Sequence, residues 1–197
     1  MAQGALVATT HPNVQAAPAW PSRLSLGDLG FLLALVLAMV AVVLSGRFAY
    51  HQGTLLESAK ANAQAVAWWV DAVAGADKDG PLTLALCGPA PAAAEAAKPV
   101  VWSQCRDVLF VPDGRLAGLV NPFDVHNPVI GSKCETKAPA VRGAVVLEKG
   151  VPTAPGLPPG TLWSPLMDDE PLVHGLALRV HVCDGGGYPI RIAELKL

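Results

Sequence analysis

The side chains able to act as ligands, nucleophiles or proton carriers are sparse in this 197-residue chain. Their spacing matches none of the common reaction centres. The four cysteines are Cys87, Cys105, Cys134 and Cys183, with no CxxC pair among them, which argues against a zinc site or a thioredoxin-type redox pair. An even, widely spaced set suits two disulfides in an oxidising compartment. Three pairings are open, and the low entropic cost of closing a short loop favours Cys87–Cys105 with Cys134–Cys183. His126, His174 and His181 lie apart and read as scattered surface histidines, not as a metal site. Asp168, Asp169 and Glu170 lack the alternating oxygen ligands and the glycine of a calcium loop, and read as a solvated charge run. Neither a GxSxG elbow nor an HExxH helix occurs. Asp113-Gly114 and the glycines at 185–187 have turn chemistry and open no expected helix, so they are not phosphate cradles. No catalytic residue, metal ligand or cofactor site is expected on these grounds.

The elements that would position such groups begin with a greasy one. Residues 29–46 (LGFLLALVLAMVAVVLSG) hold no charge between Asp28 and Arg47. A bilayer core is spanned by roughly 17–25 apolar residues, and backbone in lipid must be helical to satisfy its own hydrogen bonds. The run starts late and lacks a good small-x-small cleavage context, so it reads as an uncleaved signal-anchor. Residues 1–25 form an expected disordered tail, 26–47 a transmembrane helix, 48–76 an amphipathic helix, and 77–197 a β-rich extracytoplasmic domain. Charge near the span does not orient it, with Arg23 on one side and Arg47 and Lys60 on the other. The cysteines do: they place the C-terminal domain in a periplasmic or extracellular space, with the N-terminus cytoplasmic in a bacterial-type inner membrane.

In the amphipathic helix, Leu55, Ala59, Ala63, Val66, Val70 and Val73 recur at steps of three and four, marking one buried face. Trp68 and Trp69 are adjacent and cannot share that face. One is expected to pack on the domain and the other is a candidate partner contact. Gly46 and Gly53 each weaken the helix by about 1 kcal/mol, which favours a bend. Beyond it, 19 glycines and 18 prolines across the chain point to short strands and many turns. Strands are expected at 82–86, 100–102 and 141–148, a hairpin at 108–120, irregular chain at 121–140 and 150–171, and a strong hairpin at 176–195 turning at 184–187. Pro189 suggests an edge position for the last strand. The result is an α+β fold, with a long N-terminal helix packed on a mainly antiparallel sheet. A formal net charge of −2 without a basic block argues against nucleic acid as a partner.

This layout resembles that of type IV pilins and pilin-like subunits, and Gly30-Phe31 at the head of the apolar run matches the glycine-phenylalanine junction of their leaders. The family's helix glutamate is absent; Leu35 stands in its place. The resemblance implies cleavage after Gly30 by a prepilin peptidase, Phe31 as the new N-terminus, self-assembly through the apolar helix, and a disulfide-bounded region set by Cys134 and Cys183. Three functions are thereby weighed. They are a non-enzymatic envelope component that binds other membrane or envelope proteins, a polymerising pilin-like subunit, and, ranked last, an anchored periplasmic enzyme of unknown chemistry.

Overall fold

A computed structural model describes residues 25–76, 82, 87, 100–152 and 160–197. The expected tail apart from Ser25, the expected strand at 82–86 apart from Leu82, and the alanine-proline stretch at 88–99 lie outside the described residues. The chain divides into two compact units, Met1–Gly46 and Arg47–Leu197.

Helix α1 covers Leu26–Ala76. Its first turn is closed by a reciprocal cap: the Ser25 hydroxyl accepts from the Asp28 amide at 3.1 Å, and the Asp28 carboxylate accepts from the Ser25 amide at 3.0 Å. The helical assignment passes through Gly46 and Gly53 without a break, so the expected glycine penalty does not interrupt it. In the second unit the periodic stripe is buried as its spacing dictates: Ala59, Ala63, Val66, Val70 and Val73 enter the core, and Leu55 is half-buried at its margin. Lys60 and Glu57 pair at 2.7 Å on the outer side.

The strand expected at 100–102 and the hairpin expected at 108–120 do not form; helix α2, Trp102–Leu109, and the turns that follow it stand in their place. Trp102, Cys105 and Leu109 are the buried residues of this helix, and their spacing of three and four is helical. Among the described residues, the β pairing here is an isolated bridge from Val101 to Pro171. The turn at Asp113-Gly114 exists, but it folds the chain back on the end of α2: the Leu116 amide donates to the Leu109 carbonyl at 2.9 Å. A Cβ on Gly114 would lie 2.3 Å from that same carbonyl oxygen, so the close approach requires glycine.

The sheet is mixed and mostly antiparallel. Its strands are β1 (Ile130–Gly131), β2 (Val145–Pro152), β3 (Thr161–Pro165), β4 (Ala177–Cys183) and β5 (Pro189–Lys196). β4 pairs antiparallel with β2 and β5, while the opposite edge of β2 takes β1 in parallel and then β3 antiparallel. Two expectations shift here. The strand expected at 141–148 starts at Val145, after a 3-10 turn at Pro139–Val141, and runs on to Pro152. The irregular stretch at 150–171 contains β3. Pro152 and Pro165 sit at strand ends, where a missing amide donor costs little. The hairpin at 176–195 forms as its alternation implies, with β5 at the sheet edge. Its turn is held by Asp184, whose carboxylate accepts from the Gly186 and Tyr188 amides, each at 2.8 Å.

Val145, Leu147, Leu178, Val180 and Val182 join the α1 stripe, Trp102, Cys105 and Leu109 in one hydrophobic core. The other face of the sheet is not simply polar. Ala144, Val146 and Cys183 form a second buried cluster against Cys134 and Val141. A central strand is covered on both sides, so His181 and Cys183 are buried where the alternation alone suggests exposure.

Candidate functional site

In the first unit the apolar side chains have no protein cover. Phe31 is 69% exposed, Leu37 60% and Val42 72%. The helix contains a window of mean hydropathy 2.7, none of it buried, and is long and apolar enough to cross a membrane. A continuous exposed apolar surface of this kind needs an apolar solvent or partner. Gly30 and Phe31 lie within this helix, and a Cβ on Gly30 would meet no atom within 4 Å.

In the second unit the cysteines pair as Cys87–Cys105 and Cys134–Cys183, across 18 and 49 residues of chain. The first bond ties α2 to the chain that leaves α1. The second ties the loop at 121–140 to the end of β4. Near that end, a Cβ on Gly187 would lie 2.2 Å from the Glu135 carbonyl oxygen, and Gly187 has a φ of +83°. The glycine run of the hairpin turn therefore serves both turn geometry and the seating of the cysteine loop.

The adjacent tryptophans divide as their geometry demands. Trp69 is buried against Trp102, with ring centroids 6.4 Å apart and planes tilted by 40°. Trp68 is 73% exposed and borders a shallow cleft with Gln64, Asp71, Ile192, Ala193 and Leu195.

Among the described residues, His126, His174 and His181 form no cluster of three or more with other metal-ligating side chains, but they are not all at the surface. His126 is exposed and meets the Asp124 carboxylate at 3.1 Å. His181 is buried, with Nε2 at 2.9 Å from Glu148 Oε2 across the β2–β4 pair. Its Nδ1 and His174 Nε2 are buried without a hydrogen-bond partner among the described residues. Among the described residues no group of three or more histidine, cysteine or acidic side chains is placed to hold a metal.

The acidic trio is not a free charge run. Asp168 pairs with Arg106 of α2, and Glu170 pairs with Lys149 of β2. The backbone carbonyls of Asp168 and Glu170 accept from the Ser103 and Trp102 amides, each at 2.9 Å, satisfying donors at the start of α2. Asp168 and Glu170 thus join α2 to the sheet, while Asp169 stays exposed.

One cluster escaped the sequence reading. The Arg179 guanidinium lies 3.9 Å from the centroid of the Trp163 ring. Its Nε donates to Glu194 at 2.9 Å, and Arg191 donates to the same carboxylate oxygen at 2.8 Å. Arg191, and then Arg179, hold the Glu194 carboxyl below its ordinary value. The 179–194 pair follows from the hairpin register. Trp163 gave no signal, because it lies in a proline-rich stretch that conceals β3.

Comparison with family models, curated proteins and solved structures finds no match to this chain.

Proposed function

We propose that the chain is a single-pass, membrane-anchored protein whose disulfide-bonded α+β head stands outside the cytoplasm and binds other envelope proteins without catalysing a reaction. The carrying observation is the contrast between the wholly exposed apolar surface of the first unit and the two disulfides of the second. The first feature is stable in lipid, and the second persists in an oxidising space. The N-terminus is then cytoplasmic and the membrane a bacterial-type inner membrane. Trp68 is the best placed contact for a partner on the head, since a large exposed aromatic contributes strongly when an interface buries it.

Alkaline carbonate extraction of membranes, followed by protease treatment of intact spheroplasts, tests the reading. The full-length chain should stay with the vesicles and the head should be digested from outside. Extraction into the supernatant, or a head that protease cannot reach, overturns it.

A second reading is a pilin-like subunit that polymerises through its N-terminal helix. It is supported by the layout of one helix, uncovered in its first part and packed on a sheet in its second, and by Gly30-Phe31 near its start. N-terminal sequencing of the membrane-purified chain separates the two. Phe31 as first residue supports the subunit, and Met1 or Ala2 rejects it.

A further inference from the structure

A cleft of about 490 Å³ opens in the second unit beside the first turns of its share of α1. His51, Gln52 and Leu55 line it on the helix side; Phe123, Asp124, Asn127 and Arg142 line it from the loop. Its charges are laid out in two parts. Arg142 and His51 have no ion-pair partner among the described residues, and Arg47, one helical turn before His51, has none either. Arg142 and His51 offer donors to an anion from within the cleft, and Arg47 lies outside its lining. Asp124 supplies the opposite sign. The His126 backbone amide, at 2.9 Å, and then its ring, at 3.1 Å, hold the Asp124 carboxyl below its ordinary value. Both contacts use Oδ1, so Oδ2 has no protein partner among the described residues.

The walls are fixed, not loose. Asn121 is fully buried and its amide donates to the Arg142 carbonyl at 2.8 Å and to the Pro128 carbonyl at 3.3 Å, while its oxygen accepts from the Phe123 amide at 3.0 Å. One side chain thereby sets the spacing between the 121–128 wall and Arg142, and the Gly143 beside it is pinned, since a Cβ there would lie 2.6 Å from Asn121 and Phe123. The backbone of the wall and the Asp124 carboxylate are thus held in advance, and a site with fixed parts loses less on binding.

Position narrows the ligand. His51 follows Gly46, the last residue of the uncharged run, by five residues, so on the anchored reading chain connectivity alone keeps it near the membrane boundary. The headgroup layer on each side of a hydrocarbon core is roughly 5–8 Å deep. Resting on the membrane-anchored reading above, we infer that this cleft seats the zwitterionic headgroup of an aminophospholipid, with its phosphate at Arg142 and His51 and its primary ammonium at Asp124. A choline headgroup carries the same phosphate but has no N–H to donate to Asp124. A glycerol headgroup offers only neutral hydroxyls to Asp124, so the shared phosphate charge is left without a cation beside the carboxylate.

The test uses the full chain in nanodiscs of equal parts phosphatidylethanolamine, phosphatidylcholine and phosphatidylglycerol, with retained lipids counted by native mass spectrometry. Loss of one charge-assisted contact corresponds to about a tenfold change in occupancy. The unaltered chain should retain phosphatidylethanolamine about tenfold over phosphatidylcholine. D124N should bring that ratio near one, and R142Q should lower retention of all three lipids. No enrichment with the unaltered chain overturns the inference without any variant, and so does enrichment that neither substitution changes. Soluble glycerophosphoethanolamine is added to the full chain in detergent as a further arm. Binding there without enrichment from bilayers overturns the lipid assignment in favour of a soluble ligand. A chain found outside the membrane fraction defeats the anchored reading itself, whereas an embedded chain without lipid preference defeats only this site.

Discussion

The two parts of α1 are alike in backbone and opposite in surroundings. Through Gly46 every described residue is exposed, and the side chains are mostly leucine, valine and alanine on all sides. From Leu55 onward a single stripe is buried, and alanines at 59, 63 and 67 share it with valines. A helix apolar all round demands an apolar solvent, while a helix apolar on one face demands a single neighbour. The same conformation thus serves two different hydrophobic problems, and one kind of substitution should have separable effects in the two places.

The largest effect is expected at Val70, which is fully buried. Val70→Asp leaves a carboxylate unpaired in the core and should cost the head more than about 4 kcal/mol. Urea denaturation followed by near-ultraviolet circular dichroism should show the loss, with carbonate-resistant anchorage retained. Val40→Asp should do the reverse, weakening membrane insertion by about 3 kcal/mol while the head's denaturation midpoint stays put. If both variants lose the same property, the two parts of the helix are not doing different jobs.

The disulfides sharpen the contrast within the head. Chain-entropy reasoning assigns about 4 kcal/mol to Cys134–Cys183 and about 3 kcal/mol to Cys87–Cys105, following their 49- and 18-residue separations. Paired serine substitutions, compared by thermal unfolding, should rank in that order. A smaller effect separates the neighbouring indoles. Trp69→Leu should destabilise by about 2 kcal/mol through lost packing on Trp102, and Trp68→Leu should stay within about 0.5 kcal/mol. Trp68→Leu should instead reduce recovery of cross-linked envelope partners, if that face is a contact.

The smallest effect concerns acid. Because Glu194 sits below its ordinary value of 4.5, its pairing with Arg191 and Arg179 adds stability above that pH. The contribution falls away as pH drops through the lower folded value. Glu194→Gln should flatten the pH dependence of the thermal midpoint below about 4.5. An unchanged acid limb would show that the cluster is electrostatically idle.

What could be read from residues alone is what local chemistry dictates. The absence of charge across 29–46 marks a segment apolar all round, while the three-and-four rhythm from Leu55 to Val73 and the alternation of 176–195 about a glycine turn each assign a face by periodicity. No neighbour has to be known. The α+β class follows from their order. The lower closure entropy of a short loop also favours the observed cysteine pairing.

Tertiary structure decided where local signals are short or ambiguous. Val108–Val111 has strand composition, but Trp102, Cys105 and Leu109 face the core only in a helix. β3 is five residues among prolines, and it exists because β2 offers an unpaired edge. His181 reads as surface until β4 proves central and covered on both faces. The cleft between His51, Asp124 and Arg142 unites residues up to 91 positions apart in sequence, and no spacing rule spans such a distance. Periodicity reports which way a side chain faces; only long-range packing determines what it meets there.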